Sequence, residues 1–217
     1  MSVTPPTPLP PSRYDFDPAE WPDDDCVVAG ADLLPPTIVD AYRHGAFPMP
    51  QLGRLLWWSP MLRGVLEPGS LRVTRSMRRS ARHLDITVDT AFEQVIDACA
   101  DPSRPGGWID ADIRAAYVEL HRLGWAHSVE TRDSEGRLVG GVYGLGIGRL
   151  FAGESMFHHV RDASKVAMMG LVEHLGDAVL IDVQWKTPHL ASLGVVEWPR
   201  PAYLEALHDL VDAPSRW

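Results

Sequence analysis

Two apolar runs that read as strands carry polar groups that an ordinary core strand lacks. They are Gly153-Glu154-Ser155-Met156-Phe157 and Leu180-Ile181-Asp182-Val183-Gln184. Residues two apart on a strand point to one face, so Asp182 is predicted to project with Gln184, and Glu154 with Met156. A carboxylate or amide inside hydrophobic sequence is costly unless it is hydrogen-bonded or functional. These groups are therefore the first candidates for a working site.

Strand and helix signals are intermixed along the rest of the chain. A short helix is predicted from Pro35, which suits a first turn, to Gly45, which suits a stop. Phe47-Pro48 and Trp57-Trp58-Ser59-Pro60 read as irregular structure. Thr74 to His83 reads as a basic helix and Leu84 to Asp89 as a strand. Thr90-Ala91-Phe92-Glu93 has the pattern of a capping box for a helix reaching about Ala100. A further helix is expected from Ala111 to Leu123, stopped by Gly124. A hairpin follows, Ala126 to Thr131 and Arg137 to Val142, turning around Asp133-Ser134-Glu135-Gly136. Arg149 to Ser155 reads as a strand, Asp162 as the cap of a helix to Leu175, Val179 to Val183 as a strand, and Pro201 as the opening of a last helix. The pattern implies α+β or α/β with a central, largely antiparallel sheet.

The length of 217 residues and a hydrophobic fraction of 45% suit one large domain, alone or carrying a smaller one. Two cysteines, Cys26 and Cys99, make no disulfide framework and lack metal-ligand spacing. With no leader pattern and no bilayer-length apolar run, the expected home is the reducing cytoplasm. The formal net charge of −9 argues against a protein that coats nucleic acid everywhere. Yet Arg63, Arg72, Arg75, Arg78, Arg79 and Arg82 share their stretch with one acid, Glu67. Such a patch on an acidic protein can dock a polyanion locally. Arg75, Arg78, Arg79 and Arg82 follow i, i+3, i+4, i+7 spacing and form one helical stripe with no interleaved acid, which favours a phosphate-rich partner over a merely solvated face. Residues 1 to about 12, rich in proline, are expected to form a mobile arm.

Other motifs read better as structure. Gly140, Gly141, Gly144, Gly146 and Gly148 precede another strand rather than the helix that a phosphate-binding loop must enter. Ser155, Asp182 and His189 fall in the chain order of a hydrolase triad, but Phe157 replaces the second glycine of the nucleophile elbow. The histidines, among them His158-His159 and the pair His121 and His127, show no metal-binding spacing. Trp57, Trp58 and Trp108 are core by default, although an aromatic beside Ser, Pro or Gly can also stack on a base.

Assembled, these residues resemble the bacterial leucyl/phenylalanyl-tRNA–protein transferases. The resemblance runs through Ala41-Tyr42-Arg43-His44-Gly45-Ala46-Phe47-Pro48, Trp57-Trp58-Ser59-Pro60, Thr74-Arg75-Ser76-Met77-Arg78-Arg79 and Gly107-Trp108-Ile109. It continues through Gly124-Trp125-Ala126-His127-Ser128-Val129-Glu130, Gly153 to Phe157, Asp162-Ala163-Ser164-Lys165, Ile181 to Gln184 and His189-Leu190-Ala191-Ser192-Leu193-Gly194. The proline-rich arm (1–20) falls outside it; for the rest the resemblance implies a small N-terminal domain (21–62) and a larger acetyltransferase-like domain (63–217), the whole being α+β. It also implies transfer of leucine or phenylalanine, with methionine as a further donor, from tRNA to proteins with N-terminal arginine or lysine. That addition marks the acceptor for degradation through the N-end rule. No cofactor, ATP, metal or membrane is implied, because the aminoacyl ester is already activated. By resemblance, Asp182 orients the Gln184 amide toward the attacking amine, and Glu154 faces the cationic end of the acceptor. Met156, Val142, Ile181 and Met49 would form the aminoacyl pocket. Arg75, Arg78, Arg79 and Arg82 would hold tRNA phosphates, with Trp108 or Tyr42 near the terminal adenosine. The chain departs from the family at Met49, usually Trp, at Val142, commonly Met, and across Trp185-Lys186-Thr187-Pro188. An acyl-CoA-dependent N-acetyltransferase and a non-catalytic RNA-binding module are the alternatives.

Overall fold

Proline and glycine set the outline near the N-terminus of the computed structural model, which describes residues 5–104, 107–176 and 178–217. After β1 (Cys26–Ala29), prolines occupy the first turn of α1 (Pro35–Arg43), and Gly45 at φ +90° ends it. Phe47-Pro48 and Trp57-Trp58, expected to be irregular, instead belong to short strands, β2 (Phe47–Pro48) and β3 (Leu56–Trp58). With β1 they make a three-stranded sheet in the order β1-β3-β2. The prolines are tolerated because β2 is an edge strand, where one missing N–H breaks no ladder.

The remaining elements are β4 (Leu62–Leu66), α2 (Arg75–Ser80), β5 (Asp85–Val88), α3 (Phe92–Cys99), α4 (Ala111–Arg122), β6 (Ala126–Arg132), β7 (Leu138–Ile147) and β8 (Leu150–His158). They are followed by α5 (Ala163–Leu175), β9 (Leu180–Asp182), α6 (Pro188–Ser192), β10 (Val196–Pro199) and α7 (Arg200–Val211). A seven-stranded sheet runs β10-β4-β9-β8-β7-β6-β5. Every neighbouring pair in it is antiparallel except β8 and β9, which are parallel and joined through α5. The chain is thus α+β with a largely antiparallel central sheet.

Each face of that sheet has its own core. Tyr143, Leu145, Leu150, Ala152 and Phe157 look toward α1, α3, α4 and α7. Val142, Phe151, Met156 and Ile181 look toward α5 with Met168 and Leu171. Gly140 serves this second face, where a Cβ would come within 2.6 Å of Ala163, so the glycine lets α5 lie close on the sheet. Gly148, at φ +58°, makes the tight β7–β8 turn. The glycine run is therefore structural.

Three local expectations change. Thr90 does not cap α3; its hydroxyl donates to Glu130 Oε2 at 2.8 Å. Glu130 is fully buried and draws donors from Thr87, Thr90 and Ser128, a demand that outweighs one helix cap. Asp162 precedes α5 in a left-handed conformation without capping it, and its carboxylate accepts instead from the Ser76 and Ser80 hydroxyls. The basic helix ends at Ser80, and Ala81–His83 continues as one 3₁₀ turn. The arm expected to be mobile is anchored in part: Thr7 N–H donates to Leu123 O at 2.8 Å, and Trp125 Nε1 donates to Thr7 O at 2.9 Å.

Candidate active site

The parallel pairing of β8 and β9 covers only Leu150 to Ala152 against Leu180 to Asp182. Beyond it, β8 continues beside β7 while the other chain turns away at Gln184, which sits at φ +59°. A non-glycine residue held in that left-handed backbone region is strained and persists only where its surroundings fix it. The gap between the diverging chains is a cavity of about 100 Å³ bordered by Val142, Met156, Ile181, Gln184, Met168 and Leu190.

Glu154 is placed by a β-bulge. Tyr143 pairs with Ser155 and Gly144 with Gly153, leaving Glu154 as the extra residue on β8. The predicted shared face of Glu154 and Met156 is consequently lost. Met156 packs with the α5 layer, whereas Glu154 turns to the opposite side and meets α1 and α4. There the Tyr42 hydroxyl donates to Oε1 at 2.6 Å, and the Tyr117 hydroxyl donates to Oε2 at 3.1 Å. Gln184 Nε2 adds a third bond to Oε1 at 3.2 Å. No guanidinium lies within hydrogen-bond reach among the described residues, so burial dominates and pushes the Glu154 carboxyl up to about 8. At neutral pH this group is mostly protonated.

Asp182 has the opposite surroundings. It is fully buried, and Arg63 from β4, 1% exposed, grips it with two bonds, Nε to Oδ1 at 2.8 Å and Nη2 to Oδ2 at 2.5 Å. The Tyr203 hydroxyl donates to Oδ2 at 2.9 Å, and the Gln184 backbone N–H donates to Oδ1 at 2.9 Å. Asp182 thus holds the Gln184 main chain, not its side-chain amide as expected; the amide is oriented by Glu154. Among the described residues the carboxylate has no histidine partner, and His189 lies exposed on α6, so the triad order has no counterpart in space.

The remaining sequence candidates separate into three places. Val142, Met156 and Ile181 line the cavity. Met49 does not: it packs against the other core, and its carbonyl accepts from Trp58 Nε1 at 3.0 Å. Tyr42 is 1% exposed beneath Glu154, so no face is open to an adenine; Trp108 is half-buried against the same core. Arg75, Arg78, Arg79 and Arg82 are all exposed and have no ion pair among the described residues. Met77 is buried on the docked side of α2, where Ser76 and Ser80 bond Asp162, so the arginines point outward. Arg63, counted with that basic stretch, is instead the buried partner of Asp182. Its setting in Leu62-Arg63-Gly64-Val65-Leu66 carries the same signal, a charge in an apolar strand, that singled out Glu154 and Asp182. Tyr117 and Tyr203 were also missed, since a helical tyrosine has no such signal. In the departing segment, Trp185 packs edge-on against Phe47 with centroids 5.1 Å apart, Lys186 pairs with Glu197, and Thr187 caps α6.

Two family models match the chain: Leucyl/phenylalanyl-tRNA protein transferase over residues 65–208, and Leucyl/phenylalanyl-tRNA protein transferase N-terminal domain over residues 31–61. A protein named leucyl/phenylalanyl-tRNA–protein transferase from Pseudomonas entomophila (strain L48) is 50% identical over 196 residues, covering 87% of this chain and 86% of its own length. Its namesake from Aromatoleum aromaticum is 47% identical over 219 residues, covering 94% of this chain and 92% of its own. Among solved structures, L-PGS from Bacillus licheniformis aligns with a TM-score of 0.38 and 8% identity, over 69% of this chain and 64% of that one.

Proposed function

The chain belongs to the leucyl/phenylalanyl-tRNA–protein transferase family, and from that premise we propose that it moves leucine or phenylalanine from aminoacyl-tRNA to the N-terminal arginine or lysine of a protein. The addition would mark that protein for N-end-rule degradation in the cytoplasm. Among the described residues no helix is long and apolar enough to cross a membrane. The observation that carries the reading is a small apolar cavity whose lining includes Glu154 and Gln184, the amide of the second donating to the carboxyl of the first.

The chemistry is aminolysis of an ester. The acceptor nitrogen forms a bond to the ester carbonyl carbon, the carbon–oxygen bond to the ribose breaks, and the ribose oxygen leaves as an alcohol. Gln184, with its Nε2 engaged by Glu154, presents its carbonyl oxygen to the amine N–H and sets the angle of attack. In its ionised form, the fraction that grows as pH approaches 8, Glu154 takes up the amine proton. Its pKa of about 8 matches an α-amino group at about 7.7–8.0, so the exchange costs little near neutral pH. The proton given to the leaving ribose oxygen closes the balance. Val142, Met156, Ile181 and Met168 receive the leucine or phenylalanine side chain, the two methionines adapting to either shape. The arginines of α2 and the turn after it hold tRNA phosphates.

Purified protein mixed with labelled Leu-tRNA or Phe-tRNA and a peptide beginning with arginine, without ATP or acetyl-CoA, is expected to move label to the peptide N-terminus. Label that stays on bound tRNA contradicts the reading, as does transfer that requires acetyl-CoA. Replacing Arg78 and Arg79 with Glu is expected to raise the tRNA requirement with the fold intact; unchanged tRNA affinity rejects the phosphate role.

A further inference from the structure

Gln184 is held in a left-handed conformation, and what holds it comes largely from β4. Gly64 N–H donates to Gln184 O at 2.8 Å, and Val183 N–H donates to Gly64 O at 2.9 Å. A Cβ on Gly64 would come within 2.8 Å of Lys186 N, so the turning segment lies directly on this strand. One residue earlier, the Arg63 fork fixes Asp182, whose Oδ1 accepts both Arg63 Nε and the Gln184 N–H. The guanidinium is itself immobilised. Its Nη1 donates to Gly45 O at 2.9 Å, and it lies between the Phe47 and Tyr203 rings at 4.9 and 4.5 Å.

We infer that Arg63 is a positioning residue for the transfer reaction: through the bidentate bond to Asp182 it sets the backbone turn that aims the Gln184 amide at the amine. The inference rests on the proposed roles of Gln184 and Glu154. A planar fork is what this task needs, because two parallel N–H bonds fix the carboxylate in rotation as well as in distance. Lysine would neutralise Asp182 equally but could not fix its plane. The arrangement also joins the small N-terminal sheet, through Gly45 and Phe47, to the residue proposed to orient the nucleophile.

Arg63→Lys separates charge from geometry, and single-turnover transfer from Leu-tRNA to an arginine-led peptide reads the outcome. A displacement on the order of 1 Å of the orienting amide is expected to lower the rate constant about 10–100-fold. The amplitude, which counts folded competent enzyme, and the affinity for Leu-tRNA should stay at wild-type values. A merely structural arginine would lower amplitude or tRNA affinity and leave the rate constant of the remaining enzyme unchanged, which overturns the inference. If Arg63→Lys does not fold, Tyr203→Phe serves instead: it removes one bond to Asp182 while keeping the ion pair. It is expected to slow the rate constant by a smaller factor at full amplitude, and an unchanged rate constant counts against the inference. A wild-type protein that transfers nothing overturns the proposed function and this inference together. An active wild type matched by Arg63→Lys in rate overturns this inference alone.

Discussion

Asp182 and Glu154 stand on adjacent strands, face the same layer of the fold and are bridged by one residue. Gln184 gives its main-chain N–H to the first and its side-chain amide to the second. Their surroundings nevertheless differ in kind. Asp182 meets a guanidinium that is as buried as itself, so its charge is matched by a fixed counter-charge. Among the described residues Glu154 meets only neutral hydrogen-bond donors, two tyrosine hydroxyls and an amide, which stabilise an anion less than a cation does, and burial pushes its carboxyl up to about 8. Paired carboxylates whose environments diverge mark a division of labour: one is clamped by an ion pair and holds geometry, the other is placed to gain and lose a proton.

Replacing each carboxylate in turn is the strongest way to break that contrast. Glu154→Gln keeps shape and most hydrogen bonds while removing the titratable proton. It is expected to lower the single-turnover rate about 10²–10⁴-fold, the usual scale for a lost proton acceptor, with the fold retained. A rate within a few-fold of wild type would place the proton elsewhere. Asp182→Ala is expected to act first on stability, because it leaves Arg63 buried without a counter-charge. Losses of about 3–5 kcal/mol, read from the urea unfolding midpoint, are typical of a broken buried pair. An unfolding curve that overlays the wild type would mean that the pair is not the brace described.

Smaller effects sharpen the comparison through pH. The wild-type rate should climb with pH through a limb near 8, where Glu154 ionises. Tyr42 donates to that carboxylate and so favours its charged form, and Tyr42→Phe is expected to move the limb to higher pH. A limb that stays in place would disconnect Tyr42 from the titrating group. The sign for stability follows from linkage. The folded pKa lies above the ordinary value of 4.5, so the folded state binds more protons between 4.5 and about 8. The Glu154 contribution is complete below about 4.5 and is lost as pH rises through about 8. In Glu154→Gln this slope should disappear from unfolding midpoints measured across that range.

Much of this arrangement was legible in the chain itself. Glu154, Asp182 and Gln184 stood out because polar groups in apolar strands need partners, and the α2 arginines because their spacing makes one stripe. Arg63 obeyed the first rule but was hidden by its membership of a basic stretch, since a charge count does not distinguish an inward from an outward arginine. The bulge at Glu154 was invisible because an extra residue shows only against a partner strand, and it reversed the predicted alternation from that point on. Thr90 and Asp162 lost their capping roles to distant partners, Glu130 and the Ser76 and Ser80 hydroxyls. Local propensity yields wherever a buried carboxylate or a packed helix makes the larger demand.

The division between the two carboxylates is tested most directly by infrared difference spectroscopy of wild type against Glu154→Gln, recorded from pH 6 to pH 9.5. The expected result is a protonated carboxyl band at pH 6 to 7 that converts to carboxylate with a midpoint near 8 and is absent from the variant. A Glu154 already ionised at pH 6, with no titration above it, would contradict it.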